Sequence, residues 1–160
     1  MEHFIAMFKS IIVKRMFLLC AICFVGLYCS AQSTVYLVSS YTQTAPSMTV
    51  YINNGVDGKI EMTSPFHKKL YGVLDVYKKM IRKCTLNEEG KVILSYDGEF
   101  GSGKKFHQEI TLNLKPNETY YVEVWGKKWK MKEITKKQYD KLTKKIEDFH
   151  ICPDWTSDNE

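Results

Sequence analysis

The stretch ITLNLKPNETYYVEVWGKKWKMKEITKKQYDKLTKKIEDF, Ile110–Phe149, constrains the fold more than any other part of the chain. Ile110, Leu112 and Leu114 alternate with Thr111 and Asn113, the period-two pattern of a half-buried strand. Lys115-Pro116-Asn117-Glu118 reads as a turn, because Pro116 presets φ at its second position and Asn117 suits its third. Tyr120, Val122 and Val124 then alternate with Tyr121, Glu123 and Trp125, so the two runs are expected to pair as a hairpin. Gly126-Lys127-Lys128 turns the chain toward a further strand with Trp129, Met131 and Glu133 on one face. Thr135-Lys136-Lys137-Gln138 matches a capping box, with Ile134 and Tyr139 placed as a hydrophobic staple. Tyr139, Leu142, Ile146 and Phe149 share one stripe, which predicts an amphipathic helix over about 135–149.

Upstream, Ser33–Ser39 is dense in β-branched and aromatic residues and reads as a strand. Met48–Asn53 and Lys59–Met62 flank the turn signal Asn53-Asn54-Gly55, which predicts a hairpin. Leu70–Lys79 is ambiguous between helix and strand, with Gly72 and the β-branched residues favouring strand. Ile81–Leu86 and Lys91–Tyr96, separated by Asn87-Glu88-Glu89-Gly90, suggest a further hairpin. Asp97–Lys105 reads as an open loop. The fold class expected is mainly β: one antiparallel β-sandwich-like domain of seven or eight strands with a C-terminal amphipathic α-helix.

Residues 1–31 are set apart. Lys9, Lys14 and Arg15 precede the uncharged run Met16–Cys29, which falls short of the roughly 20 residues a membrane helix needs. With Cys29 and Ala31 at positions −3 and −1 of a cleavage before Gln32, the segment reads as a secretory signal peptide. Tyr28 before Cys29 disfavours a lipoprotein reading. The domain expected thus runs over 32–152, with a loose acidic tail at 153–160. Localisation is expected to be exported: periplasm, cell surface or beyond. No membrane span is expected after cleavage.

The segment removed holds three of the 23 Lys/Arg and one of the 18 Asp/Glu, which leaves 20 against 17, a net +3. Arg82 is the only Arg left, and readers of phosphate and base edges rely on Arg forks, so nucleic acid is not an expected partner. Cys84 and Cys152 remain, and in an exported chain such a pair permits one disulfide.

Chemistry is sparse. The Gly-Ser-Gly-Lys segment at 101–104 lacks the Ser or Thr that a phosphate loop carries after its Lys, and a strand follows it. His67, His107 and His150 are scattered, with no metal-ligand spacing. Cys84 lies in a predicted strand, where nothing favours a nucleophilic thiolate. Asp75, Asp97, Glu99 and Glu123 offer carboxylate pairs of the kind any chain this long contains. No catalytic residue, metal or cofactor is therefore assigned. The one opening toward a ligand is the WGKKW turn. Trp125 and Trp129, with Tyr121, Lys127 and Lys128, are the candidate contacts for a sugar ring, an anionic envelope polymer or a protein partner.

The phrases Val50-Tyr51-Ile52-Asn53 and LKPNETYYVEV resemble an uncharacterised family of small exported bacterial β-sandwich domains of unknown function. The Ala31-Gln32 junction likewise resembles signal peptides of exported Bacteroidota proteins. The resemblance implies the sandwich and export, and it carries no catalytic residues. The function expected is a non-catalytic envelope or periplasmic binding or structural protein. A carbohydrate- or polymer-binding module on the WGKKW turn is the second expectation, and an enzyme of unrecognised type the third.

Overall fold

The computed structural model describes residues 32–40, 46–99, 102–126 and 130–157. The chain divides into two units, Met1–Ser30 and Ala31–Glu160, and the described residues all lie in the second. The expected signal peptide falls outside the described residues.

Three sheets form, and their strands follow in order. They are β1 (Ser33–Ser39), β2 (Ser47–Ile52), β3 (Lys59–Thr63), β4 (Phe66–Leu70), β5 (Leu74–Tyr77), β6 (Lys79–Leu86) and β7 (Gly90–Glu99). β8 (Lys105–Leu114), β9 (Thr119–Glu123), β10 (Lys132–Ile134), helix α1 (Lys136–Leu142), β11 (Phe149–Ile151) and β12 (Trp155–Thr156) complete the domain. One sheet has the order β10-β9-β1-β6-β11, with β12 also on β6; a second has the order β3-β2-β7-β8; β4 and β5 pair only with each other.

Period-two alternation makes the two large sheets into facing layers. Val35 and Leu37 on β1, Cys84 and Leu86 on β6, and Val122 on β9 share one cluster with Val50 and Ile52 on β2, Leu94 and Tyr96 on β7, and Leu112 and Leu114 on β8. The intervening residues of the first sheet point the other way. There Val38, Ile81, Ile134 and Phe149 form a second cluster, covered by Tyr139 and Leu142 of α1. The molecule is thus a sandwich with a helix on one outer face. Each fully buried aliphatic chain stabilises this arrangement by about 1.5–3 kcal/mol.

The mainly-β reading holds, and four details of connectivity differ. The first sheet is mixed: β1 pairs with β9 in parallel and with β6 antiparallel. Lys115–Glu118 does turn, with Asn117 at φ 61° and the Glu118 N–H on the Lys115 carbonyl at 3.2 Å. It does not close a hairpin, however, because β8 pairs with β7 and β9 pairs with β1 across the sandwich. Likewise β6 and β7 do not pair; the link at Asn87–Glu89 passes from one sheet to the other. The expected loop at Asp97–Lys105 is ladder at both its ends, since β7 runs to Glu99 and β8 starts at Lys105. The hairpin of β2 and β3 forms as expected, with Asn53, Asn54 and Gly55 all at positive φ.

The helix is shorter than its stripe. Its capping box is complete: Thr135 N–H donates to Gln138 Oε1 at 2.8 Å, and Gln138 N–H donates to Thr135 Oγ1 at 3.3 Å. It stops at Leu142, where the Thr143 hydroxyl bonds back to the Tyr139 carbonyl at 2.9 Å. Phe149 is buried not as a helical residue but on β11, which runs parallel to β6. Of the tail, residues 153–157 pack on the domain, through β12 and a bond from Asn87 N–H to Ser157 Oγ at 3.2 Å.

Burial raises three acids to about 12. The Cys84 thiol rises from 9.0 to about 12, chiefly by desolvation against the opposing pull of Arg82, and the Tyr96 and Tyr139 phenols rise from 10.0 to about 12 by desolvation. Each folded value lies above its unfolded value, so the stability these groups contribute is whole below about pH 9 and is lost as pH climbs toward 12. Melting followed by circular dichroism is expected to be flat from pH 7 to 8.5 and to fall steeply above pH 10; an unchanged midpoint at pH 11 would contradict this.

Candidate binding surface

Of the residues that the WGKKW turn was expected to present, Trp125 and Tyr121 are described, and they lie on opposite faces of the first sheet. Lys127, Lys128 and Trp129 lie outside the described residues. Trp125 follows the end of β9 and turns inward, where its ring stacks on Tyr96 at 6.2 Å and an interplanar angle of 17°. Tyr121 stays on the opposite face of the first sheet. It stacks on Tyr36 at 5.5 Å and meets Tyr139 of the helix at 4.8 Å. Trp125 and Tyr121 thus belong to different hydrophobic clusters.

Three of the four carboxylates that invited a catalytic reading, Asp75, Asp97 and Glu123, have basic or hydroxyl partners. Asp75 meets Lys69 at 3.5 Å, and Asp97 meets His107 Nδ1 at 2.8 Å. The bond to Asp97, helped by Glu109 at 3.5 Å, holds the exposed His107 ring above the usual histidine range. Glu123 is 4% exposed and accepts from Lys132 Nζ at 2.9 Å and from the Ser40 hydroxyl. It borders a cavity of about 450 Å³ under α1, lined also by Ile134, Gln138, Lys141 and Leu142. The Glu123–Lys132 pair joins β9 to the edge strand β10. Among the described residues, no group of three or more His, Cys, Asp or Glu side chains is arranged to hold a metal ion.

Cys84 and Cys152 are both buried in the sandwich core, and both are free thiols rather than the bridge that the sequence permits. The Cys152 thiol instead donates to the Thr63 carbonyl at 3.4 Å.

The surface that stands out is the β4–β5 hairpin. Its neck is closed by the Ser64 hydroxyl, which donates to the Lys78 carbonyl at 2.7 Å, and is tied to the body by the Ser64 N–H on the Pro46 carbonyl at 2.7 Å, with Val76 buried. Phe66 and Tyr77 pack edge to face at 6.2 Å across its base. Beyond the neck it pairs with no other strand among the described residues. Its tip, Leu70-Tyr71-Gly72-Val73-Leu74, is apolar, yet Tyr71 is 90% and Val73 84% exposed. Tyr71 and Gly72 both have positive φ, at 53° and 73°. Gly suits that backbone, whereas for Tyr it costs on the order of 1 kcal/mol. An aromatic side chain is therefore held in solvent, at a turn where Asn or Gly would be less strained.

The base of the hairpin is cationic. Lys68, Lys69, Lys78 and Lys79 flank the tip, with Asp75 the only acid between Phe66 and Lys79. Between the hairpin and the Ile146–Asp148 turn lies a cavity of about 300 Å³, lined by His67, Lys68, Lys78 and Lys79 with Asp148 as its one carboxylate. The sequence reading missed this surface for a physical reason: a hairpin wet on both faces has no need to alternate. The available signal was the apolar LYGVL segment between two Lys pairs.

No helix among the described residues is long and apolar enough to cross a membrane. No family model, no curated protein and no solved structure matches the chain.

Proposed function

We propose that this is an exported, non-catalytic binding protein of the cell envelope that makes its contact through the β4–β5 hairpin. The export part of the reading rests on the signal-like segment at residues 1–31. The observation that carries the contact is the tip itself, where two large apolar side chains stand in solvent on a projection that pairs with no other strand among the described residues. Exposed apolar clusters with a polar rim mark interaction sites. The non-catalytic part is supported by the pairing of Asp75, Asp97 and Glu123, each with a basic side chain. A polymer-binding surface on Trp125 and its neighbouring lysines is the second reading, and stacking on Tyr96 leaves that ring less face to offer.

Replacing Tyr71 and Val73 together by Ser is expected to leave thermal stability within about 0.5 kcal/mol, because neither side chain is packed. The same change is expected to shift the exported protein from the washed envelope fraction to the soluble fraction. Equal partition of the two proteins would sink the hairpin as the contact surface.

A further inference from the structure

We infer that the hairpin docks on a lipid bilayer surface bearing anionic headgroups, its tip entering the acyl boundary and its lysines meeting the headgroup phosphates. The inference rests on the hairpin being the contact surface and goes on to name what it contacts. Four features on one projection carry it.

The tip is apolar and exposed, with an aromatic residue at its apex. Tyr is favoured at membrane interfaces because its ring prefers the apolar side and its hydroxyl the wet side. The cations come directly behind the tip: Lys68 and Lys69 on one strand, Lys78 and Lys79 after the other. With Asp75 they leave the hairpin at +3, which suits an anionic plane. The cavity at the hairpin's base is lined by four basic side chains, His67 included, against Asp148, so the polarity of the projection changes from apolar to cationic along its length. The dimensions agree as well. From Leu74 to Lys78 is four residues, or about 13 Å of strand. A tip that enters about 5–10 Å into the acyl boundary therefore leaves Lys78 and Lys79 among headgroups, while Lys68 and Lys69, next to Leu70, reach them by extending their long side chains.

A protein groove would take the apolar tip equally well but gives no reason for cations on both strands behind it. Charge complementarity therefore favours the lipid surface.

The test uses protein recovered from the exported fraction of an expression host, its N-terminus read by mass spectrometry, in vesicle co-sedimentation. All variants carry the same N-terminus, so differences report the hairpin. Vesicles of phosphatidylcholine with a third of phosphatidylglycerol are expected to bind it about tenfold or more better than phosphatidylcholine alone, with the advantage shrinking at high salt. Tyr71→Ser with Val73→Ser is expected to weaken binding about tenfold or more, and Lys68→Gln with Lys78→Gln to remove the preference for anionic vesicles. Val56→Ser, at an apolar residue that is 83% exposed elsewhere, is expected to change nothing. Tyr71→Asn is expected to melt no lower than the parent and still bind poorly.

Binding that survives the tip variant, or that inorganic phosphate competes away, would overturn the inference. So would association between copies of the chain that depends on the tip. If no vesicle binds while envelope retention still depends on Tyr71 and Val73, the lipid surface is wrong and the hairpin contact stands. If neither depends on the tip, both fall.

Discussion

Trp155→Ala is expected to destabilise the domain by about 3–5 kcal/mol, the range for truncating a large buried aromatic side chain. Trp155 lies five residues from the end of the chain, yet it is 8% exposed and belongs to the sandwich core. β12 lays it against β6, with Cys84 as its register partner. A small domain has only about 5–15 kcal/mol of total stability, so the melting temperature should fall by roughly 10–20 °C. Asp154→Ala is the matched control. Its ion pair with Lys83, at 3.5 Å between largely exposed groups, is worth less than about 1 kcal/mol. A loss below about 1 kcal/mol for Trp155→Ala would show that the indole is not a core residue.

The second large effect is expected at Glu123, and its signature is an asymmetry. Lys132→Met should cost about 3 kcal/mol, because it takes the charged partner from a buried carboxylate and leaves it, among the described residues, the Ser40 hydroxyl. Glu123→Gln should cost less, because Lys132 remains half in water while the neutral amide keeps most of the packing. Gly126 belongs to the same unit. A Cβ there would stand 2.5 Å from the Glu123 Cδ and 2.7 Å from both carboxylate oxygens. Gly126→Ala is thus expected to cost about 1–3 kcal/mol by displacing the carboxylate. In a Glu123→Ala background the same substitution should be nearly free. Chemical denaturation of the four proteins of that cycle measures the coupling, and simple additivity would show that Gly126 and Glu123 act independently.

The sequence and the structure agree where a residue's immediate neighbours decide its conformation. The capping box from Thr135 to Gln138 satisfies backbone donors within one helical turn, so it needs nothing else in the fold. The turn at Asn53-Asn54-Gly55 is similar, since the side chains themselves make positive φ accessible. They part where a partner strand decides. The stripe from Tyr139 to Phe149 is as good a helix as it is a short helix followed by a strand. The open side of β6 takes Phe149–Ile151 as its next strand, and that pairing ends the helix at Leu142. Trp155 carried no local signal, because one aromatic residue in an acidic tail has no period.

The candidate surface divides in the same way. Trp125 was legible as a residue that sits next to a turn. Whether its ring faced solvent or Tyr96 depended on where β9 ended. The β4–β5 hairpin was legible only as a run with confusing periodicity.

By itself the sequence determined the strands that alternate, the turns that need Asn or Gly, the helix start, and a charge distribution that argues against nucleic acid. These follow from short-range sterics, capping and the period of the apolar residues. Only the tertiary structure decided which strands pair, that Lys115–Glu118 crosses between sheets, that the tail enters the core, and that Tyr71 and Val73 stand in solvent. Each of those outcomes depends on surfaces far apart in the chain competing to be buried, and burial is a property of the assembled layers rather than of any one segment.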